Sequence, residues 1–159
     1  MRIVVYPGSF NPITLGHTNI VERALDLFDK VVVAIGKSAD KNSDSLVQKR
    51  IELCRYALAE FGEQVSVQSF DGLLVDFVKQ QQTKFILRGL RTLTDYDYEY
   101  QMLEMNRHID SNIEYVLLPT ASRWSFLSST RVREIAALGG DVSAFVHPVV
   151  AEYLQRAAK

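Results

Sequence analysis

Three short stretches of this 159-residue chain gather the residue types that hold phosphate, and each leads into a helical pattern. The first runs from Gly8 through Ser9, Phe10 and Asn11 to Gly16 and His17. Gly8 permits a tight exit from the preceding apolar run and a close approach of ligand to backbone, and Gly16 does the same beside a helix start. Free N–H groups and the positive end of a helix dipole favour an anion there. His17, at that end, can donate a hydrogen bond to a phosphate oxygen or carry charge to it. The second stretch is Arg88-Gly89-Leu90-Arg91, two planar guanidiniums suited to bidentate contact with phosphate. The third is Ser128-Ser129-Thr130, with Arg133 three residues on, where hydroxyls and unpaired N–H groups at a helix start make a second cradle. Each stretch also has a plainer reading: turn glycines, surface arginines and simple N-capping. One of the three hydroxyls is expected to cap, and three exceed what a cap needs. The spacing matches neither the Gly-x-Gly-x-x-Gly dinucleotide fingerprint nor a P-loop.

Other chemistries find little support. Cys54, the one cysteine, falls inside a predicted helix, and His108 and His147 lie outside the three stretches, so no nucleophile–base pair emerges. Asp95-Tyr96-Asp97-Tyr98-Glu99 has no metal-ligand spacing, and acids there suit a helix start. No metal site in the protein is expected. Net charge is −1, so any bound anion must be held by a local cluster rather than a long-range field. A single cysteine rules out an intrachain disulfide and suits a reducing compartment. With no apolar run of membrane-spanning length and no leader-like start, cytoplasmic residence is the expectation.

The elements that must position these groups alternate. Arg2 to Tyr6 reads as a buried strand, and a helix is expected from about Thr18, with Ile20, Val21, Ala24, Leu25 and Phe28 on one face. Val31 to Ile35 is continuously apolar, as in a parallel strand covered on both faces. A helix from Leu46 to about Phe61, a strand from Val65 to Phe70 and a helix from Leu73 to about Gln80 follow. Then come a strand at Phe85 to Leu87, a helix from Tyr96 to about Ile109 and a strand at Tyr115 to Leu118. Helices from about Thr130 to Leu138 and after Pro148 close the chain. The pattern predicts one domain, residues 1–159, built as a doubly wound five-stranded parallel α/β sheet with C-terminal helices. In such sheets ligands bind beyond the carboxyl ends of the strands, where all three stretches fall.

On these residues a resemblance can be named. Thr14-Leu15-Gly16-His17 resembles the T/H-x-G-H signature of the nucleotidyltransferase superfamily, which has a Rossmann-like fold. The longer string from Tyr6 to His17, the Arg88-Gly89-Leu90-Arg91 segment and the Ser128 to Arg133 run together resemble the phosphopantetheine adenylyltransferases. The likeness spans about residues 3 to 150. Ser9 and Asn11 stand where that family often has Thr and Asp, and Ser45 and Leu46 depart from its aromatic-Thr pair.

The resemblance implies transfer of the adenylyl group of ATP to 4′-phosphopantetheine, giving dephospho-coenzyme A and pyrophosphate, by direct in-line attack. It implies catalytic roles for His17, Lys41 and Arg91. It also implies ATP contacts from Ser9, Phe10, His17, Gly89, Leu90, Arg91 and Glu99, and from the run Trp124, Ser125, Phe126, Leu127, Ser128, Ser129 and Thr130. Ser9, Lys41, Leu73, Leu74 and Arg88 would hold the acceptor. Mg²⁺ would arrive with ATP, coenzyme A would act as a feedback inhibitor, and the chain would assemble as a homohexamer without nucleic acid or membrane partners. Two alternatives stay open from the residues: a related adenylyl- or cytidylyltransferase with another small acceptor, and a catalytically silent nucleotide-binding regulator.

Overall fold

The computed structural model describes residues 1–37 and 43–158. Its strands are β1 (Ile3–Gly8), β2 (Lys30–Gly36), β3 (Val65–Phe70), β4 (Phe85–Leu90) and β5 (Glu114–Pro119). They form one parallel sheet in the order β3-β2-β1-β4-β5. The helices are α1 (Leu15–Leu25), α2 (Ser43–Ala57), α3 (Leu74–Gln80), α4 (Leu93–Ile109), α5 (Ser129–Ala137) and α6 (Pro148–Ala157). The doubly wound parallel sheet expected from the alternation is what forms. None of these helices is long and apolar enough to cross a membrane.

Period-two alternation divides the strand side chains between two apolar layers. Val4, Tyr6, Val31, Val33, Ile35 and Leu87 face a larger core closed by α1, α2, α5 and α6. Val5, Val32, Ala34 and Ile86 face a smaller one closed by α3 and Ile113. Burial on both faces is why β2 reads as an unbroken apolar run. Each fully buried Val or Ile contributes roughly 1.5–3 kcal/mol.

Several helices begin or end away from where hydrophobic periodicity put them, and local hydrogen bonds explain the shifts. α1 starts at Leu15, three residues before the expected Thr18, because Thr14 caps it and exchanges bonds with His17 in a capping box. α4 starts at Leu93 rather than Tyr96, since Thr92 and Asp95 form a second box. α2 begins at Ser43 and stops at Ala57, and the stretch expected to continue it to Phe61 instead forms a 3₁₀ turn, Ala59–Gln64. Gly62, at φ 54°, supplies the left-handed residue that turn needs.

The chain winds from β1 outward to β3, then crosses back to lay β4 on the other side of β1. β1 and β4 are therefore neighbours whose following loops depart in different directions, and a crevice opens between them. Sequence chemistry widens it. β1 pairs with β2 over six registered positions, Ile3 to Gly8, but its register with β4 is the single pair Val5↔Ile86. Two residues after Val5, on the same side of the strand, stands Pro7, which has no N–H to offer β4. Its carbonyl is met instead by the Arg88 guanidinium. A side chain thus takes over where the backbone ladder fails.

Candidate active site

The crevice is a cleft of about 300 Å³ at the carboxyl ends of β1, β4 and β5. Its floor is the loop after β1, one wall is the end of β4 with the start of α4, and the other is the segment Trp124–Thr130. His17, Arg91 and Ser129, which lie up to 112 positions apart in sequence (129 − 17), share this one cavity.

His17 occupies the first turn of α1. Its Nδ1 accepts the backbone N–H of Thr14 at 3.0 Å and lies 3.1 Å from the Thr14 hydroxyl. With Nδ1 serving as acceptor, the ring proton of the neutral imidazole resides on Nε2. Burial first, then the nearby Arg91 and Arg88 charges, push its pKa down to about 4. Of the two roles open to it in sequence, neutral hydrogen-bond donor and charge carrier, the neutral donor fits this environment near pH 7. Phe10 stacks edge-on against both Tyr6 and His17, at ring separations of 5.2 and 5.1 Å. Its ring is buried, and its φ of 43° turns the loop sharply. A Cβ on Gly8 would come within 2.9 Å of that ring, so the glycine is required by the packing. The Asn11–Pro12 bond is cis.

Arg88 points into the crevice from β4. Its guanidinium donates to Glu99 Oε1 at 2.7 Å and to the Pro7 carbonyl. Glu99 is one of four buried polar or charged residues among those described. Its carboxylate reaches the cleft wall chiefly as the partner of Arg88. Arg91 lies three residues further on, just past the end of β4. It donates from Nη1 to the Leu127 carbonyl at 2.8 Å and from Nε to Asp95 at 3.3 Å, spanning the cleft from β4 to the segment before α5.

The three hydroxyls divide their work. Ser128 is the N-cap of α5 and accepts from Arg131 N at 3.2 Å. Ser129 donates its proton to the Pro12 carbonyl at 2.7 Å, pinning the first loop to α5. Thr130 accepts from Arg133, whose other nitrogen meets the Asn11 carbonyl. Ser128 and Thr130 therefore keep hydroxyl protons to donate, whereas Ser129 contributes its backbone N–H. Arg133, grouped in sequence with this cradle, is engaged with the first loop.

A second cavity of about 330 Å³ adjoins the first and shares Pro7, Gly8, Ser9, Arg88 and Glu99 with it. Its remaining wall is mostly apolar: Phe70, Leu74, Tyr98, Met102 and Tyr115, with Asn106 bonded to the Tyr115 hydroxyl at 2.6 Å. Burial raises the Tyr115 phenol, partly offset by that bond.

Of the residues expected at the site, Ser9, Phe10, His17, Arg88, Gly89, Arg91, Glu99, Trp124, Leu127, Ser128, Ser129 and Thr130 line the cleft, and Leu74 lines the adjoining cavity. Leu90, Ser125 and Phe126 are not brought to the wall. Leu90 uses its carbonyl to accept from Thr120, Ser125 turns its hydroxyl onto the Ser122 carbonyl, and Phe126 packs on Phe145. Leu73 sits half exposed at the N-cap of α3. Lys41 lies outside the described residues. Sequence reasoning missed Tyr6, Ile20, Asp95 and Thr120 in the cleft, and Tyr98, Met102 and Asn106 beside it. The last three were legible as an i, i+4, i+8 stripe on one helix face. Thr120 had the strand-end position as its signal; buried Tyr6 and Ile20 had none distinct from core.

Among the described residues no cluster of three or more His, Cys, Asp or Glu is placed to hold a metal ion. The cleft carboxylates, Asp95 and Glu99, are occupied by arginines. The donor set of N–H groups, hydroxyls and guanidiniums suits phosphate oxygens, and so suits an ion that comes already bound to them.

Comparison with known proteins accords with this geometry. The cytidylyltransferase-like family model matches residues 5–135. A phosphopantetheine adenylyltransferase of Hahella chejuensis is 47% identical over 156 residues, covering 98% of this chain and 96% of its own. That of Bordetella pertussis is 47% identical, covering 100% and 94%, and that of Coxiella burnetii 47%, covering 97% and 96%. Among solved structures, the nicotinic acid mononucleotide adenylyltransferase of Plasmodium falciparum superposes with a TM-score of 0.67 at 16% identity, covering 99% of this chain and 96% of its own, a likeness of fold.

Proposed function

The chain belongs to the phosphopantetheine adenylyltransferases of the cytidylyltransferase-like family, and from that premise we propose how its own groups join ATP to 4′-phosphopantetheine. A phosphate oxygen of the acceptor attacks the α-phosphorus in line, the bond to the β-phosphate oxygen breaks, and dephospho-coenzyme A and pyrophosphate leave. The observation that carries the reading is the convergence of a neutral imidazole, a fixed guanidinium and the open N-terminus of α5 on one cleft, beside a mostly apolar cavity.

The triphosphate lies in the cleft, where His17 donates from Nε2 to an α-phosphate oxygen. Arg91 and the N–H groups at the start of α5 take up charge that grows on the phosphates as the bond breaks. Such stabilisation is strongest when the donors are already oriented, and the internal bonds of Arg91 and His17 supply that orientation. Because His17 is neutral, it can donate without first losing or gaining a proton. Ser9 and Arg88, at the junction of the two cavities, hold the incoming phosphate within reach of the α-phosphorus. The pantetheine arm runs into the apolar cavity past Leu74, Phe70 and Met102, and Leu73, half exposed beside Leu74, belongs to this reading through the resemblance. Leu90, Ser125 and Phe126 belong to the same ATP-binding reading through the resemblance, as does Lys41 as a ligand of the reacting phosphates. Mg²⁺ held by the triphosphate would neutralise part of its charge. Residence in the cytoplasm, a homohexameric assembly and inhibition by coenzyme A complete the proposal.

The test is a turnover assay on the purified protein with ATP and 4′-phosphopantetheine, reading pyrophosphate release and product mass. Dephospho-coenzyme A is expected. Turnover with nicotinate mononucleotide or glycerol phosphate in place of phosphopantetheine, or ATP binding with no turnover for any acceptor, would overturn the reading.

A further inference from the structure

A carboxylate stands where none is expected. Asp95 lines the cleft proposed for a triphosphate, within the same cavity as Arg88, Arg91 and the N-terminus of α5. An anion there opposes binding of another anion, so its presence needs a compensating role. Its contacts identify one. A single oxygen, Oδ2, accepts from the backbone N–H of Arg91 at 2.9 Å, from Arg91 Nε at 3.3 Å and from Thr92 N at 3.3 Å. Its own N–H in turn donates to the Thr92 hydroxyl at 3.2 Å, closing the capping box that starts α4. Asp95 therefore binds both the main chain and the side chain of Arg91. The other end of that guanidinium is fixed by the Leu127 carbonyl. Held at Nε and Nη1, the guanidinium is left with Nη2 and the second Nη1 hydrogen to offer a ligand.

We infer that Asp95 is a positioning residue: it acts through Arg91, clamping the guanidinium in the orientation that meets the reacting phosphates, and does not itself contact substrate. The repulsion it adds is local and partly cancelled by the adjacent guanidinium. The gain is an arginine that need not reorganise when charge shifts in the transition state. The alternative, that Asp95 receives a sugar hydroxyl of the nucleotide, makes it a ligand rather than a clamp, and the two roles differ in what they predict. The inference rests on the proposed adenylyl transfer, and wild-type turnover in the same assay tests that premise separately.

The experiment is a double-mutant cycle in steady-state kinetics with Asp95→Ala, Asp95→Asn, Arg91→Ala and Arg91→Ala combined with Asp95→Ala. Asp95→Ala is expected to lower kcat about 10- to 100-fold with a smaller change in the KM for ATP, the range typical of residues that orient a functional group. Asp95→Asn retains an acceptor for the same three N–H groups and is expected to keep more kcat than Asp95→Ala. In the Arg91→Ala background the further loss from Asp95→Ala is expected to shrink to about twofold or less. Loss of the cap lowers Tm in both backgrounds alike, so a merely structural role would not produce this non-additivity. A full, additive loss of kcat in the Arg91→Ala background overturns the inference. So does a penalty for 3′-deoxy-ATP or 2′-deoxy-ATP that disappears on Asp95→Ala, which would make Asp95 a ligand of the sugar. If Asp95→Ala is too unstable to assay, Asp95→Asn in the same cycle decides the question by the same criterion.

Discussion

The two cavities that meet at Ser9 and Arg88 are built on different principles. In the nucleotide cleft the charged and polar side chains that matter are tied down before any ligand arrives. Arg88 is held by Glu99 and the Pro7 carbonyl, Arg91 by Asp95 and the Leu127 carbonyl, His17 by Thr14 N, and Ser129 by the Pro12 carbonyl. In the adjoining cavity most of the wall is apolar and touches by packing alone. Phe70 stacks on Phe77 at 5.0 Å, Tyr98 is 60% exposed, and away from the shared Arg88, Glu99 and Pro7 the Asn106–Tyr115 bond is the one side-chain hydrogen bond in the wall among the described residues. The difference follows the work proposed for each. Stabilising a transient charge requires donors whose orientation costs nothing at the moment of reaction. Holding an extended, uncharged arm requires area, and area tolerates substitution.

Glu99→Ala should expose the contrast most strongly. It strands the Arg88 charge in a largely buried site, which costs about 3–5 kcal/mol. The corresponding loss of Tm, measured by calorimetry, is roughly 6–20 °C for a chain of this size. A change within a degree or two would mean that the cleft is not held by this pair. Next comes His17→Ala, for which kcat should fall on the order of a hundredfold or more with a smaller shift in KM. Steady-state kinetics showing an unchanged kcat would remove the imidazole from the reaction. Leu74→Ala should do the reverse, raising the KM for phosphopantetheine roughly tenfold while leaving kcat and the KM for ATP near wild type. Loss of kcat instead would erase the division of labour between the cavities.

The smallest effect concerns pH. The folded imidazole of His17 has its pKa lowered from 6.5 to about 4, so it binds a proton more weakly than in the unfolded chain. Its contribution to stability is therefore present above pH 6.5 and lost as pH falls through about 4. Between pH 8 and 5.5 the profile of kcat should carry no inflection from His17. Imidazole nitrogen shifts in NMR should show the Nε2–H tautomer at pH 7. An inflection near 6.5 that vanishes in His17→Gln would make the working form the imidazolium.

Much of the molecule was readable along the chain because it rests on local rules. The β2 run from Val31 to Ile35, the alternation in β3 and the proline that opens α6 reveal themselves to period and propensity. Helix starts were less legible: both early ones are set by boxes, Thr14 with His17 and Thr92 with Asp95, whose side-chain bonds outweigh the apolar stripe. Most of the second and all of the third stretch's hydroxyls line the cleft, but the partners of their individual groups were not legible. Nothing local says that Ser129 spends its proton on a carbonyl 117 residues away, or that Arg133 turns to Asn11 rather than into the cleft.

Residue type and spacing by themselves determined that this chain forms a parallel α/β sheet and that its cations, imidazole and hydroxyls fall toward the carboxyl ends of strands or at the helix starts that follow them, because backbone preference and side-chain chemistry are properties of short segments. Tertiary structure alone decided which of those groups remain available to a ligand. It placed β4 beside β1, brought the Arg88 guanidinium to the Pro7 carbonyl, and set half-buried His17 near two guanidiniums that, with burial, hold its pKa low. Such outcomes depend on partners distant in sequence competing for the same donors and acceptors, and that competition exists only once the chain has folded.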